Sequence, residues 1–372
     1  MAHPAISILV CAYNVQEYIS QCLDSLVKQT FNDIEIIVVD DGSSDKTHAI
    51  LTTYARKHPS ICVLHQKNAG PGVARNLALS HAKGKYVMFC DSDDWYEPTM
   101  CEKMYFCIHS NKVDLVCCNC ILEYEGDSFG RDKQKLNYHY LKFEGEKVLS
   151  SDSKQLINLV LWNKIFKKEL IDKFNISFPT IREHDDDSFV SQYLYVAHSV
   201  YGLMLPLYHY RLREKSIMAI YWQDPQKADK WTHLQSWQHT GLFLIKHLKK
   251  STLPIEYIEQ FFTTLYLMRQ VFGWNSFSEK DKSIIKSFIK NFPFDSHNHV
   301  EYPLYLAQQG NFDALEQVLR VDKQILSLGK LTLWHQECNW REKRLFIFGI
   351  EIYKRDYLKR NIRLFGIIRI RL

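Results

Sequence analysis

Short apolar runs and segments of helical periodicity alternate along the first third of the chain. The apolar runs are Ile6 to Cys11, Ile34 to Val39, Ile61 to Leu64 and Val87 to Cys90. Continuous apolar runs without polar alternation are typical of central strands in a parallel sheet that is covered on both faces. Because helical periodicity separates the runs, the pattern predicts an α/β sheet with right-handed crossover connections.

Each of the three helices predicted between these strands has boundary signals. The first helix is predicted to start at a capping-box pattern of Asn14 and Glu17 and to end near Val27. The second is predicted to be capped by Ser43 or Ser44 and to end near Lys57. The third is predicted to start at Pro71 and to stop at Gly84. Polar residues with this spacing satisfy the free amides of a helix start, and glycine suits the residue after a helix end.

Polar and acidic residues follow directly after the predicted strands. They are Tyr13 and Asn14, Asp40 and Asp41, Asn68 to Gly70, and Asp91 to Asp93. In open α/β sheets, ligands bind beyond the carboxyl ends of the strands. Asp91, Ser92 and Asp93 would lie at such an end, where two carboxylates one residue apart can share a hard divalent cation. The alternative is an acidic turn in which Asp93 or Asp94 caps the next helix.

Composition and charge narrow the class of protein. A chain of 372 residues with 46% hydrophobic residues is expected to form two globular units. Most of the ten cysteines lie singly in apolar contexts, which favours packed thiols in a reducing cytosol over disulfides or zinc sites. We find no signal peptide and no apolar run near the roughly 18 residues of a membrane span, so the expected location is cytoplasmic.

Nucleotide-binding motifs of other folds are missing. No G-x-G-x-x-G follows the first predicted strand, and no G-x-x-x-x-G-K-[ST] occurs, which disfavours a dinucleotide-binding Rossmann domain and a P-loop enzyme. Gly70-Pro71-Gly72 resembles the dinucleotide-binding motif only weakly, and it follows the third predicted strand instead of the first.

Four segments in the same order resemble the inverting glycosyltransferases of family 2. They are Ser7 to Asn14, Ile36 to Asp45, Asn68 to Gly70 with Ala74 to Asn76, and Gly84 to Val87 with Asp91 to Asp94. A thinner resemblance continues through Trp162 to Lys164, Asp185 and Asp186, and Tyr208 to Arg211, so that it covers roughly residues 5–215. It implies the GT-A fold, a mixed but mostly parallel sheet with helices on both faces, and a role in bacterial cell-surface polysaccharide or lipopolysaccharide synthesis.

The resemblance also implies roles for individual residues toward a nucleotide-sugar donor, expected to be UDP-linked. Ala12 and Tyr13 would line the nucleobase pocket, and Asp41 would accept a hydrogen bond from the base. Asp40 would support that turn or face the ribose, and Arg75 would lie near the phosphates. Asp91 would face ribose and metal, Asp93 would hold Mn²⁺ or Mg²⁺, and Ser92 would lie between these two acids. A cation is expected there because a diphosphate beside several carboxylates needs charge compensation.

An inverting transfer also needs a carboxylate that takes the proton of the acceptor hydroxyl. The family pattern is approximately Glu-Asp-x-x-Phe, and alignment on Phe189 puts Asp185 at the glutamate position and Asp186 at the base. The aspartate at the first position and the extra acids Glu183 and Asp187 depart from the pattern, so these neighbours remain candidates for the base. The competing interpretation is an acidic helix N-terminus favoured by the helix dipole.

Beyond the resemblance, the expected organisation is a GT-A domain over 1–220, a helical subdomain over 221–340 and a basic amphipathic tail over 341–372. Helices are predicted at Trp231 to Leu248, Pro254 to Phe272, Lys280 to Ile289 and Phe312 to Leu328. The helical part is expected to serve as support, to shape the acceptor site or to form a homodimer.

The tail is strongly basic. It has ten Lys and Arg against three acids, a net charge of +7, which leaves 5 − 7 = −2 for the other residues. Apolar runs interleaved with cations favour peripheral contact with the anionic inner face of the cytoplasmic membrane, where a lipid-linked acceptor would lie. A packed β-hairpin with a solvated basic face is the alternative, and the slightly acidic remainder disfavours nucleic acid.

The resulting hypothesis is a metal-dependent inverting glycosyltransferase that acts on a saccharide or lipid-linked saccharide acceptor. A nucleotidyltransferase that makes sugar nucleotides is disfavoured, because no glycine-rich and basic triphosphate loop is present near the N-terminus. A non-catalytic saccharide-binding protein is disfavoured by Asp91 and Asp93 together with the Asp185–Asp187 cluster.

Overall fold

The computed structural model divides the chain into two compact units, 1–247 and 248–372. The structure describes residues 3–125, 136–138, 141, 143–150, 154, 156–213, 231–248, 254, 257–258, 261, 265, 277–294, 302–319, 322–328, 331–338, 342–347, 350–356, 361–364 and 368–371. The predicted domain boundary at 220 therefore lies outside the described residues.

The first unit is built on one ten-stranded mixed sheet. Its strands are β1 Ile6–Ala12, β2 Ile34–Asp40, β3 Ile61–His65, β4 Tyr86–Asp91, β5 Trp95–Tyr96, β6 Leu115–Tyr124, β7 Leu136–Tyr138, β8 Gly145–Val148, β9 Lys164–Lys167 and β10 Ser199–Leu212. The order is β3-β2-β1-β4-β9-β6-β10-β5, with β7 beside β6 and β8 beside β10. The pairs among β1 to β4 and the β6–β10 pair are parallel, whereas β9 is antiparallel to both of its neighbours. Strands β5, β7 and β8 also pair antiparallel with their neighbours. The expected mixed sheet is therefore confirmed.

The central strands are buried for the reason that their composition indicated. Ile8 and Val10 of β1, Val38 of β2 and Met88 of β4 are all fully buried in one apolar cluster. Edge strand β3 differs, because Cys62 on it is exposed. The expectation that single cysteines pack in the core is therefore wrong for Cys62, because it lies on the face of β3 opposite buried Ile61.

Seven helices of the first unit pack around or follow this sheet in the described part of the chain. They are α1 Ile19–Val27, α2 Thr47–Lys57, α3 Pro71–His81, α4 Met100–Asn111, α5 Lys168–Phe174, α6 Asp185–Val196 and α7 Thr232–Leu248. Helix α3 begins at its proline, as predicted. The buried residues of α1, Ile19, Cys22, Leu23 and Leu26, follow the spacing of one helix face.

Three of the predicted helix boundaries are wrong. Asn14 does not cap α1, because its side chain accepts hydrogen bonds from Ser44 instead. Neither serine caps α2; Asp45 accepts from the Thr47 amide at 2.9 Å. Helix α3 ends before Gly84, at which a β-carbon would lie 2.5 Å from the Ser7 amide nitrogen. That glycine is required for close packing against β1.

The second unit contains helices and a second sheet. Helices α8 Glu279–Ile289, α9 Tyr302–Gln308 and α10 Asp313–Leu319 precede six antiparallel strands in sequential order. The strands are β11 Asp322–Leu328, β12 Leu331–Cys338, β13 Glu342–Ile347, β14 Ile350–Asp356, β15 Asn361–Leu364 and β16 Ile368–Arg371. The predicted helix over Phe312 to Leu328 is wrong after Leu319, and the predicted helix over Pro254 to Phe272 lies largely outside the described residues.

None of the helices in the described part of the chain combines the length and the apolar character that crossing a bilayer requires.

Candidate active site

The acidic turn after β4 lies at the carboxyl end of a buried strand. Ser92 and Asp94 are buried, whereas the side chains of Asp91 and Asp93 keep 35% and 20% of their surface exposed. Asp94 accepts hydrogen bonds from the Tyr208 hydroxyl and the Arg211 amide, both at 2.7 Å. Burial and the neighbouring carboxylates of Asp93 and Asp91 raise the pKa of Asp94. Asp94 therefore anchors the turn, and Asp91 and Asp93 are left to meet a ligand.

Arg75 on α3 joins this turn to a distant acidic segment. One guanidinium nitrogen contacts Asp91 at 3.1 Å, and the other forms an ion pair with Asp185 at the start of α6. Asp185 is only 5% exposed, so its carboxylate is held by a charge-assisted hydrogen bond in a largely desolvated place. The structure thus brings Arg75, Asp91 and Asp185 together, although 110 residues separate Arg75 from Asp185.

The three acids at the start of α6 occupy three different environments. Burial and the carboxylates of Asp187 and Asp185 raise the pKa of Asp186 to about 8. Burial acts in the same direction on Asp187, but hydrogen bonds from His184 and His233 outweigh it and lower the pKa of Asp187 to about 2. Asp185 is engaged by Arg75. The pKa of Asp186 therefore lies near neutrality, as a general base requires.

His184 and His233 hold Asp187 from opposite elements. A ring N–H of each histidine donates to the same carboxylate oxygen, with nitrogen–oxygen distances of 3.1 Å. The two rings stack with their centres 4.1 Å apart. His184 precedes α6 with φ 60°, a left-handed conformation that is uncommon for a residue with a side chain. His233, on α7, was not predicted as a site residue. Sequence alone offers no signal for it, because it lies far from the acids along the chain.

Asp41 holds the turn that follows β3. Its carboxylate accepts hydrogen bonds from the Gln66 side chain at 2.7 Å and from the amides of Ala69 and Gly70 at 2.9 Å. A carboxylate has about four acceptor positions, so these three hydrogen bonds leave one position without a donor among them. Asp40 has no exposed side-chain surface, and its oxygens face the Ser43 amide, His48 and His65.

Ala12 is the last residue of β1 and Tyr13 follows it, beside these acids. Ala12 is buried, whereas Tyr13 is 49% exposed. The backbone of the turn is fixed from the neighbouring segment, since Val15 donates to Thr47 at 2.9 Å and Gln16 donates to Asp45 at 3.1 Å. An exposed aromatic ring on a rigid turn is suited to stacking against a flat ligand.

Two arginines of β10 and its end approach the acidic turn. Arg211 donates to the Asp93 carbonyl at 2.8 Å, and Arg213 forms an ion pair with the Asp93 carboxylate at 2.8 Å. Both guanidinium groups lie 4.9 Å from the ring centre of Tyr18. Arg213 was missed by sequence reasoning, although the strand alternation from His209 through Arg211 continues to it.

Trp162 and Lys164, where the thinner family resemblance continues, are buried. Lys164 has no exposed surface, and its ammonium binds Asn158, Asn163 and the Val160 carbonyl. Burial lowers the pKa of Lys164 to about 8. Trp162 stacks on Tyr208 with ring centres 4.4 Å apart. These groups support the wall of the site from behind.

Asp91 and Asp93 fit a hard divalent cation. Both supply carboxylate oxygens, the ligands that Mn²⁺ and Mg²⁺ prefer, and both side chains are partly exposed at one strand end. Cations of this kind are commonly bound by one or two carboxylates together with substrate phosphates. Arg75 and Arg213 balance the same charges within the protein.

Comparison with known proteins assigns the chain to a family. The profile of glycosyl transferase family 2 matches residues 7–174. The chain is 38% identical to EpsH of Bacillus subtilis over 233 residues, which is 59% of this chain and 64% of EpsH. It is 30% identical to the glycosyltransferase GlyG of Streptococcus pneumoniae over 228 residues, which is 57% of this chain and 72% of GlyG. The chain belongs to glycosyltransferase family 2.

A solved structure agrees with the fold of this family 2 member. The crystal structure of S. aureus TarS 1–349 in complex with UDP-GlcNAc matches with a TM-score of 0.54 and 22% identity, covering 87% of this chain and 97% of that chain. At this identity the match concerns the fold, and it confirms the GT-A fold expected from the sequence.

Proposed function

We propose that this family 2 protein is a metal-dependent inverting glycosyltransferase. It transfers a sugar from a nucleotide-sugar, UDP-linked, to a saccharide or lipid-linked saccharide acceptor in bacterial surface-glycan synthesis. The observation that carries the proposal is Arg75, which contacts Asp91 on one side and Asp185 on the other. One acid expected to meet the donor and one acid from the segment expected to activate the acceptor therefore contact the same guanidinium group.

Asp186 is the proposed general base. It takes the proton of the acceptor hydroxyl while that oxygen bonds to the anomeric carbon, and the bond from this carbon to the nucleoside diphosphate breaks. Attack opposite the leaving group inverts the anomeric configuration. The raised pKa of Asp186 supports the role, because a base near pKa 8 accepts a proton readily at cellular pH.

Asp91 and Asp93 are the proposed ligands of Mn²⁺ or Mg²⁺. A bound cation would offset the charge of the diphosphate and stabilise the departing nucleoside diphosphate. Arg75 and Arg213 contact these two carboxylates and are the cationic side chains proposed to lie nearest the phosphates. The Nε group of Arg213 is buried and has no hydrogen-bond partner in the described part of the chain, so it is available to donate to a phosphate oxygen.

The proposed nucleobase site lies between Tyr13 and Asp41. Tyr13 offers an exposed ring for stacking, and Asp41 retains one acceptor position for a base N–H. A base with an N–H between two carbonyls, as in uracil, suits a carboxylate acceptor. The complex of TarS with UDP-GlcNAc is in line with a UDP-linked donor.

A donor panel tests the proposal. Purified protein is incubated with UDP-, GDP- and CDP-sugars in Mn²⁺, in Mg²⁺ and in EDTA, and the release of nucleoside diphosphate is measured with and without oligosaccharide acceptors. We expect cation-dependent release with a UDP-sugar. Release of pyrophosphate from a nucleoside triphosphate and a sugar phosphate would indicate a nucleotidyltransferase. Saccharide binding without turnover of any donor would indicate a non-catalytic saccharide-binding protein.

We also propose that the basic C-terminal segment 341–372 contacts anionic membrane, which would place a lipid-linked acceptor near the protein. The segment has a net charge of +7, and like-charged residues pair in register on neighbouring strands, as in Arg363 with Arg369. Juxtaposed cations of this kind favour an anionic surface, with about 1 kcal/mol for each Lys or Arg near it.

Liposome sedimentation tests this contact with the full chain. We expect binding to vesicles that contain phosphatidylserine and loss of binding in high salt. Arg363→Gln with Arg369→Gln should weaken binding roughly 10-fold or more, at about 1 kcal/mol for each cation, whereas Lys57→Gln with Lys83→Gln in the first unit should leave it unchanged. Equal binding of both double variants would remove the membrane contact from the proposal.

A further inference from the structure

Asp40, His48 and His65 form a cluster outside the proposed catalytic residues. The Oδ2 atom of Asp40 lies 2.9 Å from Nδ1 of His48 and 3.1 Å from Nδ1 of His65. The Asp40 side chain has no exposed surface, whereas the histidine side chains are 52% and 56% exposed. The cluster therefore has a buried carboxylate at its base and is open to solvent on the histidine side.

Regular secondary structure holds all three residues. Asp40 is the last residue of β2, His65 is the last residue of β3, and the two are register partners in the parallel pair. His48 lies in the first turn of α2. The other oxygen of Asp40 accepts a hydrogen bond from the Ser43 amide at 3.0 Å, which fixes the orientation of the carboxylate. Three ligand atoms on rigid elements with an oriented carboxylate match the design of a metal site.

The geometry points to a transition-metal site, and we propose that Asp40, His48 and His65 bind Zn²⁺ with one coordination position open to solvent. Zinc binds imidazole nitrogen and carboxylate oxygen at about 2.0–2.2 Å in a tetrahedral arrangement, which puts ligand atoms about 3.3 Å apart and the centres of two imidazole rings about 5 Å apart. The ring centres of His48 and His65 are 5.3 Å apart and the planes are inclined at 75°. The two oxygen–nitrogen distances, 2.9 and 3.1 Å, are a few tenths of an ångström shorter than the ligand separation of such a site.

A second histidine–aspartate cluster in the described part of the chain has a different ring geometry. His184 and His233 also face one oxygen of Asp187, but their rings are nearly parallel, inclined at 11°, with centres 4.1 Å apart. Parallel rings direct their nitrogen lone pairs side by side instead of toward a common point. That arrangement suits two hydrogen bonds to a carboxylate, whereas the rings of His48 and His65 are inclined at 75° and their ligand atoms lie within 4.8 Å of one another and of the Asp40 oxygen.

The ligand set also separates this site from the proposed catalytic cation. Imidazole nitrogen favours Zn²⁺ and its neighbours in the transition series, whereas the oxygen ligands of Asp91 and Asp93 favour Mn²⁺ or Mg²⁺. Zinc at Asp40 would join the ends of β2 and β3 and the start of α2. Since Asp41 follows Asp40 and holds the amides of Ala69 and Gly70, the metal would stabilise the turn beside the proposed nucleobase pocket.

Metal binding by chelator-treated full-length protein tests the site without any donor or turnover. Zn²⁺ is titrated in competition with a chromophoric chelator, and Co²⁺ is added separately to record the visible bands of a four-coordinate ion. We expect one Zn²⁺ for each chain, four-coordinate Co²⁺ bands and a melting temperature that rises by a few degrees with Zn²⁺. Mg²⁺ should not displace the metal.

The variants are chosen to separate this site from other histidines. His48→Gln with His65→Gln should weaken Zn²⁺ binding about 100-fold or more and abolish the Co²⁺ bands. His81→Gln, an exposed histidine on α3, and His184→Gln with His233→Gln should retain both. Unchanged affinity in the His48/His65 double variant, or loss in the His184/His233 double variant alone, would overturn the proposal, as would six-coordinate Co²⁺ or no stoichiometric binding. Because the readout is metal binding, failure of this proposal leaves the proposed transfer reaction unaffected.

Discussion

The two acidic segments that Arg75 joins use aspartates in contrasting ways. After β4, hydrogen bonds from Tyr208 and Arg211 hold Asp94 in a buried position, and Asp91 and Asp93 remain partly exposed beside arginines. At the start of α6, no acid is simply exposed: one is paired with Arg75, one has a raised pKa and one is held ionised by two histidines.

The difference indicates how one residue type can serve two purposes. Partly exposed carboxylates beside arginines suit a cation and a diphosphate, whereas a buried carboxylate surrounded by other acids resists ionisation and suits proton transfer. The environment therefore assigns the role. Substitutions that alter one environment at a time should therefore have separable effects on the rate, on stability and on the dependence on the cation.

Asp186→Asn should have the largest effect, because it removes the proposed base and leaves its volume. We expect kcat to fall about 10³-fold or more, within the range for general-base catalysis, while the Kd for the nucleoside diphosphate changes less than about 3-fold. Steady-state kinetics and nucleotide titration measure the two quantities. A rate near that of the unaltered enzyme would move the base to Asp185 or Asp187.

Arg75→Met should destabilise the fold, because it leaves Asp185 as a buried carboxylate without its partner. Breaking a buried ion pair from one side costs about 3–5 kcal/mol in the free energy of unfolding. Urea denaturation measures this change. Arg182→Met, an exposed arginine nearby, is the matched control and should stay within about 0.5 kcal/mol. Equal stability of the two variants would mean that the Arg75 bridge does not hold in solution.

Asp93→Asn should weaken the dependence on the divalent cation. Loss of one charged ligand is expected to raise the Mn²⁺ concentration for half-maximal activity about 10- to 100-fold, with little change in melting temperature because Asp93 is partly exposed. Asp94→Asn in the same turn should instead lower the melting temperature and have little effect on the Mn²⁺ concentration for half-maximal activity. Manganese titrations and thermal unfolding of both variants separate the two effects. Identical behaviour of the pair would remove the distinction between ligand and anchor.

The pH dependence should show the smallest effect and test the α6 segment directly. Asp186 must be deprotonated to act, so kcat should rise with pH through a limb near pH 8. Asp187→Asn removes the largest charge that raises this pKa, so the limb should move to lower pH by roughly one unit. Asp185, Arg75 and Asp91 also act on Asp186 and stay unchanged in this variant. A limb that moves upward would contradict the assignment.

The apolar pattern predicted the strands of the first third because a buried strand is marked by consecutive apolar residues, which are a local feature of the sequence. Helix starts were less predictable, since side chains distant in sequence bind the free amides: Thr47 and Asp45 take those of Val15 and Gln16, which delays α1 until Ile19. The strand Asp322–Leu328 was mistaken for helix because a short apolar run fits either structure.

The residues of the candidate site could be predicted only where a local sequence motif includes them. The acids after β4 and at α6 were named from spacing and resemblance, and the structure brings them to one guanidinium. Arg213, His233 and the pairing of His48 with His65 depend on contacts between distant segments, so no local pattern indicates them. The roles of the named residues stay predictions until the variants above are measured.

The hydroxyl of Tyr208 donates to Asp94 and accepts the Asp91 amide at 3.2 Å, so a single atom fastens both ends of the acidic turn to β10. The proposed donor side of the protein is thereby tied to the scaffold from within. Substitutions elsewhere on the surface can then change the protein by evolution or engineering while the proposed cation ligands keep their alignment.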